Sequence, residues 1–201
     1  NQGAIGKGRS VTDRRPRRAR GRAGAAGRSP GGRGEPLIDA IADWLITASL
    51  GESSLESLFE GCCNRLYAAG IPLARVFITF STLHPLFEAR SLTWRRDRPL
   101  EAESFVHGSA ATSAEWQGSP LNFMVRHGTP LLRRRLTGSD AGREFPVLGS
   151  LAAEGCTDYV GTLVPFGPPG RITMDGIAGS FATDGVDGFT DSDVAALLRI
   201  H

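Results

Sequence analysis

The sequence predicts an α+β domain with a mainly antiparallel central sheet and helices packed on it. Two β-branched and aromatic runs within residues 75–96 are joined through Leu83-His84-Pro85, and two more within residues 157–183 flank a Gly-Pro-Pro-Gly turn. Amphipathic helical patterns stand before and after these strands. Because strands joined by hairpins pair antiparallel, the sheet should be mainly antiparallel, with the helices on one of its faces.

Two helices open the foldable region. The first is predicted over residues 36–49, because Pro36 suits a first helical turn and apolar residues then recur at helical spacing. The second is predicted to begin at Ser53, with Glu56 three residues later in the spacing of a capping box, and to end at Gly70. Its apolar stripe is expected to be buried and consists of Leu55, Leu58, Phe59, Cys62 and Leu66.

Three strands are predicted next. The first covers residues 74–81, the second residues 87–95, and a short third one lies near residues 103–106. Successive side chains of a strand point to opposite faces, so the first strand divides into two sets. These sets are Val76, Ile78 and Phe80 on one face and Arg75, Phe77 and Thr79 on the other.

The second half alternates helix and strand before it ends in a hairpin and a capped helix. The first helix must find a partner and the last leaves the sheet nearby, so we expect the two terminal helices to be adjacent. The predicted elements are a helical turn near residues 114–116, a helix from Ser119-Pro120 to Gly128, a strand near 130–133, a helix over 145–154, strands over 157–165 and 174–183, and a last helix capped by Thr190 or Asp191.

Charge is distributed unevenly along the chain. Residues 1–36 carry Lys7 and nine arginines against Asp13 and Glu35, a net charge of +8, whereas the remaining residues carry −6. With almost no large apolar side chain, the tail cannot offset the entropy of ordering, so it is predicted to be disordered. It could serve as an arm for nucleic acid. No aromatic residue interleaves its arginines, and we do not expect nucleic acid as a partner.

Cysteine usage and hydropathy favour a cytoplasmic protein. Three cysteines provide no disulfide framework and are interpreted as buried free thiols. No apolar run approaches the ~20 residues that span a bilayer, so no membrane span is expected. The chain begins at Asn1 rather than Met, and its last helix lacks a stop signal, so we expect a piece of a longer protein.

Three phrases of this sequence resemble a known family. They cover residues 41–96 (IADWLITASL to SLTWRR), 145–166 (FPVLGSLAAEGCTDYVGTLVPF) and 180–200 (SFATDGVDGFTDSDVAALLRI). They are similar to the GAF domain, a relative of PAS sensors, and in particular to the module that precedes class III adenylate/guanylate cyclase domains in rhizobia and related bacteria. The resemblance extends over about residues 37–201.

The resemblance implies a GAF/PAS-like regulatory domain whose partner is a downstream cyclase domain of the same protein. It further implies a homodimer formed through the terminal helices. The apolar stripes of Leu55, Leu58 and Phe59 and of Leu197 and Leu198 could serve ligand-dependent regulation or dimerisation alone. A purely dimerising spacer and a stand-alone small-molecule-binding GAF protein are alternatives. A redox enzyme on the GAF fold would need a reactive thiol, for which Cys156 is the suggestive position.

No catalytic residue, metal site or cofactor is predicted. Residues 184–193 resemble the metal-binding strand of class III cyclases, but Gly185 stands where that strand needs Asp, and Asp184 is one residue out of register. Two-metal chemistry needs paired carboxylates. We therefore interpret Asp184, Asp187 and Asp191 as loop and cap residues. The four histidines share no metal-ligand spacing, and His84 is interpreted as a turn residue.

A small-molecule pocket is predicted between the sheet and its covering helices. Sensor pockets are mainly apolar with a few polar anchors. Ordinary core packing would explain the same aromatic residues. The candidate wall residues are Trp94, Phe105, Trp116, Phe123 and Met124, and the candidate anchors are Arg90, His107 and Asn122. The run Arg133-Arg134-Arg135 is either a phosphate or partner contact or a solvated strand end.

Overall fold

The computed structural model describes residues 35–83, 85–109, 112–138, 142–166 and 176–201. The predicted disordered tail, apart from its last two residues, and the predicted His84 turn lie outside these residues. The described part contains six helices and six strands in the predicted order, with the helical turn as α3. They are α1 Glu35–Ser49, α2 Leu55–Ala68, β1 Arg75–Ser81, β2 Phe87–Arg95, β3 Arg98–Val106, α3 Ala114–Gln117, α4 Pro120–His127, β4 Leu131–Arg135, α5 Pro146–Ala153, β5 Asp158–Pro165, β6 Gly176–Thr183 and α6 Asp191–Ile200.

The strands form one sheet of order β3-β2-β1-β6-β5-β4, and every neighbouring pair is antiparallel. The first and last strands of the chain meet in the middle, where Val76 of β1 is opposite Phe181 of β6. The hairpins β1-β2-β3 extend the sheet on one side and β6-β5-β4 on the other. The predicted α+β class with a mainly antiparallel central sheet is confirmed.

Helices cover both faces of the sheet, so the prediction of a single covered face is wrong. Helices α1, α2 and α6 pack on the face that carries Val76, Trp94 and Phe181, which we call the terminal-helix face. Helices α4 and α5 pack on the face that carries Tyr159 and Ala182, which we call the cavity face. The physical reason is visible in β5, whose first six residues are all buried. A strand buried on both sides needs cover on both.

The terminal helices are adjacent, as predicted. Helix α1 packs against α6, and an ion pair joins Asp39 of α1 to Arg199 of α6. Leu197 is fully buried and Leu66 nearly so in the core beneath them, whereas Leu198 and Leu55 are exposed. The predicted apolar stripes are therefore divided between the core and the surface.

Local capping explains where the helices begin. Ser54, not Ser53, caps α2, because its side chain accepts a hydrogen bond from the backbone N–H of Ser57, and the predicted Ser53–Glu56 capping box is wrong. The N-terminal cap of α4 follows the prediction: Ser119 accepts from the N–H of Asn122, and Pro120 follows in the first turn. The last helix has a full capping box between Thr190 and Asp193.

A buried carboxylate fastens the segment before α6 to the sheet. The side chain of Asp158 is fully buried and accepts from Arg133 Nη2 at 2.7 Å and from the backbone N–H of Phe189 at 3.1 Å. Arg135 Nη1 approaches it to 3.5 Å and also donates to the carbonyl of Asp187. Arg134 forms an ion pair with Glu144 at 2.6 Å. All three arginines of the basic run, which are partly exposed, therefore bind groups of the chain itself.

Candidate functional site

A cavity of about 630 Å³ lies between the cavity face of the sheet and helices α3, α4 and α5. Strands β1, β2 and β6 contribute its floor and Phe105 of β3 one side, while Trp116 of α3 and Val125 of α4 lie on the helical side. Its volume is within the range of about 300–1,000 Å³ found for small-molecule sites.

Small side chains on alternate positions of the central strands create this space. Ser91 of β2 and Ala178 and Ser180 of β6 point to the cavity face, where they line the cavity. Their neighbours Leu92 and Phe181 point to the opposite face and are buried in its core. One face of these strands is therefore filled by large residues, and the other is left open between the sheet and its helices.

Two helices begin at the cavity. Ser119 and Pro120 at the start of α4, and Pro146 and Val147 at the start of α5, line it. No side-chain cap bonds the first turn of α5, whose N-cap residue is Phe145. The N-terminal ends of helices carry partial positive charge, so both ends contribute positive potential to the cavity.

Arg75 is the cation that lines the cavity. Its guanidinium carbon lies 5.2 Å from the centre of the Phe77 ring, and its buried Nε has no hydrogen-bond partner among the described residues. Burial, and after it the neighbouring Arg95, lower the pKa of Arg75. The two carboxylates that line the cavity, Glu103 and Glu115, are both exposed to solvent.

Tyr159 and Ser180 add two hydroxyl groups to the lining. Both residues are buried. Burial raises the pKa of Tyr159, so its phenol is a neutral hydrogen-bond donor at physiological pH. Tyr159 and Arg75 are each paired with Ala182, from opposite sides of β6, and therefore lie on the same row across the sheet. The cavity thus has one polar end in an otherwise mainly apolar lining.

The structure brings two of the eight predicted site residues to this cavity, Phe105 and Trp116. Arg90 and Trp94 lie on the terminal-helix face, which corrects the prediction that they would share one pocket with Phe105. Arg90 forms an ion pair with Glu56 of α2 at 2.6 Å. The indole N–H of Trp94 donates to Asn64 at 3.0 Å. The sequence of β2 alternates weakly, and an aromatic residue alone does not reveal which face it occupies.

The remaining four predicted residues do not line the cavity either. Met124 is fully buried in the core under α4, and Phe123 stacks on His127 with ring centres 4.1 Å apart. The side-chain amide of Asn122 donates to the carbonyl of Gln117 at 3.0 Å. His107 lies in the turn after β3. For Phe123 and Met124, the alternative of ordinary packing describes the structure.

The polar lining residues Arg75, Tyr159 and Ser180 were not among the predicted ligand contacts. One signal was available: the alternation of β1 correctly placed Arg75 with Phe77 and Thr79, and all three line the cavity. An arginine on an otherwise apolar strand face indicates a buried charge that needs an explanation. Tyr159 and Ser180 gave no such signal, because their strands are buried on both faces.

The cysteines lack the features of reactive thiols. Cys62, Cys63 and Cys156 are all buried and free. Burial raises the pKa of Cys62 to about 11, and it also raises the pKa of Cys63 and Cys156. A nucleophilic cysteine needs a lowered pKa. Within the described residues, no three His, Cys, Asp or Glu side chains are grouped so that they could hold a metal ion. None of the described helices has the length and apolar character needed to cross a membrane.

No protein-family model matches this chain, and no curated protein matches it. Among solved structures, it is similar to the GAF domain of nlh2 from A. aeolicus in an inactive state, with 10% identity, a TM-score of 0.48, and coverage of 83% of this chain and 89% of that one. It is also similar to the phycoerythrobilin-bound GAF domain of a cyanobacterial phytochrome, with 11% identity, a TM-score of 0.47, and coverage of 84% and 89%. Both TM-scores lie below 0.5, so neither likeness carries an argument about function.

Proposed function

We propose that this chain is a GAF-like regulatory domain that binds a small molecule in the cavity between its sheet and helices α3, α4 and α5. The observation that carries the proposal is the cavity of about 630 Å³, whose lining is mainly apolar with one polar end. Small-molecule sites have this composition. The sequence phrases that resemble GAF modules support the same assignment.

The terminal helices on the other face of the sheet would change their arrangement when a ligand binds. Strands β1 and β6 line the cavity on one side and carry Val76 and Phe181 in the core under α1 and α6 on the other. The segment between β6 and α6 is held to β5 through Asp158. A ligand that favours one arrangement of β6 would therefore favour one arrangement of α6. Differential affinity for two such states is the physical requirement for regulation.

The regulated partner, we propose, is a class III adenylate/guanylate cyclase domain in the same cytoplasmic protein. The support is the similarity of residues 41–96, 145–166 and 180–200 to the modules that precede such domains. Catalytic sites of class III cyclases form between two subunits. A change in the packing of α1 against α6 would then alter cyclic nucleotide synthesis.

Dimerisation through the terminal helices is part of this proposal. Exposed apolar side chains on or next to these helices support it, whereas the buried Leu197 does not contribute. The exposed residues are Leu37, Ile46, Leu50, Leu55 and Leu198. A spacer that only dimerises would use the same surface, and the ligand test described next separates the two functions.

The proposed function is tested by filling the cavity. Ala89 lies in β2, half-buried, and lines the cavity, so Ala89→Phe places a ring in the space and suits a strand. We expect native mass spectrometry of the unchanged chain to show a bound small molecule, and the variant to lose it while keeping its circular dichroism spectrum. In the longer protein, cyclase activity should become insensitive to cell extract in the same variant. An apo mass for the unchanged chain in every extract tested would contradict ligand sensing and favour the spacer.

A further inference from the structure

Three described arginines have a buried Nε without a hydrogen-bond partner, and of these Arg90 and Arg96 form ion pairs whereas Arg75 does not. Arg75 lines the cavity. Its neighbours in the same row across the sheet differ: Arg95 pairs with Glu101 at 3.3 Å, and Arg134 pairs with Glu144 at 2.6 Å. A buried cation without a counter-charge is costly. No described carboxylate forms an ion pair with Arg75, and the more distant Glu154 raises its pKa by less than burial lowers it.

Two other features of the cavity lining favour the same sign of ligand charge, whereas the exposed carboxylates of Glu103 and Glu115 oppose it. The hydroxyls of Tyr159 and Ser180 lie at the Arg75 end, and both α4 and α5 begin at the cavity with their partially positive ends. Glu103 is exposed, and the register Thr79–Ser91–Glu103 places its Cα roughly 16 Å from that of Arg75, from the usual strand spacings. A solvated carboxylate at that distance is largely screened.

We propose, on the basis of the proposed function, that the ligand of this cavity is an organic anion: an apolar, ring-sized body with one acidic group, whose oxygens accept hydrogen bonds from Arg75 and the hydroxyls beside it. The guanidinium offers paired N–H donors in the geometry that a carboxylate or sulfonate accepts. Phe77, Phe105 and Trp116 contact the apolar body. The neutral analogue of the same body lacks the group that would satisfy Arg75.

A pair of fluorescent probes tests this assignment on the full 201-residue chain. The probes are 1-anilinonaphthalene-8-sulfonate and N-phenyl-1-naphthylamine, which share one ring skeleton and differ by the sulfonate. We expect the unchanged chain to bind the sulfonate at least tenfold more tightly. Arg75→Gln should weaken sulfonate binding by about tenfold or more, the range of a charge-assisted contact, and change neutral binding less than twofold. Arg75→Lys keeps the charge and should retain the preference for the sulfonate.

Two control variants make the outcomes distinct. Arg134→Gln removes an arginine from the same row that does not line the cavity, and both probe affinities should stay unchanged. Ala89→Phe should weaken both probes together. Two results would overturn the assignment of an anionic ligand and leave the cavity as a ligand site. The first is equal affinity of the unchanged chain for the two probes, and the second is an equal loss of affinity for both probes in Arg75→Gln. If Ala89→Phe changes the affinity for neither probe, both probes bind outside the cavity. That result would contradict both the anionic ligand and the proposed function.

Discussion

The two faces of the sheet use the same strands in different ways. On the terminal-helix face, Val76, Trp94 and Phe181 are large and almost fully buried against α1, α2 and α6. On the cavity face, Ser91 of β2 and Ser180 of β6 are small and leave space. The packed face stabilises the fold and holds the helices that would carry a signal. The open face gives up packing and gains a place for a ligand.

Two buried charges of the molecule also differ, because one has hydrogen-bond partners within the chain and the other lacks a counter-charge. The carboxylate of Asp158 receives N–H donors from Arg133 and from the backbone of Phe189. The guanidinium of Arg75 has an aromatic contact with Phe77 but no carboxylate. A satisfied charge fixes the segment before α6, whereas an unsatisfied one costs stability. In our proposal, the second is the group that binds the ligand.

The largest expected effects come from truncating the packed face. Phe181→Ala removes a buried ring and should lower the free energy of unfolding by about 3–5 kcal/mol. The neighbouring Ser180→Ala, on the cavity face, removes only a buried hydroxyl and should cost only about 0.5–1.5 kcal/mol. Urea unfolding of both variants measures the difference. Equal losses would contradict the division of the sheet into a packed and an open face.

Removing the carboxylate beside α6 should have an effect of similar size. Asp158→Ala leaves Arg133 and the N–H of Phe189 without their acceptor, so we expect a loss of about 3–5 kcal/mol. The matched control is Glu144→Gln, which breaks the half-exposed pair with Arg134 and should cost less than about 1 kcal/mol. Thermal denaturation followed by circular dichroism compares them. A mild effect of Asp158→Ala would mean that the segment is held to the sheet by other contacts.

A pH effect of intermediate size is expected on the packed face. Burial lowers the pKa of His201 from 6.5 to about 4, so between these values the unfolded chain binds more protons than the folded one. Stability from this group is therefore complete above pH 6.5 and is lost as the pH falls toward 4, with a loss on the order of 3 kcal/mol. His201→Gln should unfold with a flatter pH profile over this window. Parallel profiles for the two proteins would show that the imidazole does not titrate this way.

The smallest expected change is a gain in stability. Arg75→Met replaces the unpaired buried guanidinium by an apolar side chain of similar length, and we expect the ligand-free protein to become more stable by about 1 kcal/mol. Arg134→Met, which breaks an ion pair, should instead be neutral or slightly destabilising. Differential scanning calorimetry of the two variants provides the comparison. A destabilised Arg75→Met would indicate that Arg75 is a structural residue and not a ligand contact.

The sequence predicted the order of the elements, the antiparallel pairing and the faces of β1, because these depend on local spacing and hairpin chemistry. It did not predict cover on both faces, since the buried run of β5 looks the same whichever side its helices occupy. The same error affected the predicted ligand residues, because they were not assigned to separate faces of the sheet. Arg90 and Trp94 were grouped with Phe105 although their strand positions turn them to the opposite face. Space left by small residues such as Ser91 and Ala178 depends on the tertiary packing around them.

The central claim is that the open face of the sheet is the ligand-binding face. The most direct measurement is a crystal structure of the chain soaked with 1-anilinonaphthalene-8-sulfonate. We expect the rings between Phe105 and Trp116 and the sulfonate within hydrogen-bond distance of Arg75. A dye seated only on α1 and α6, with the cavity closed by its own side chains, would contradict the claim.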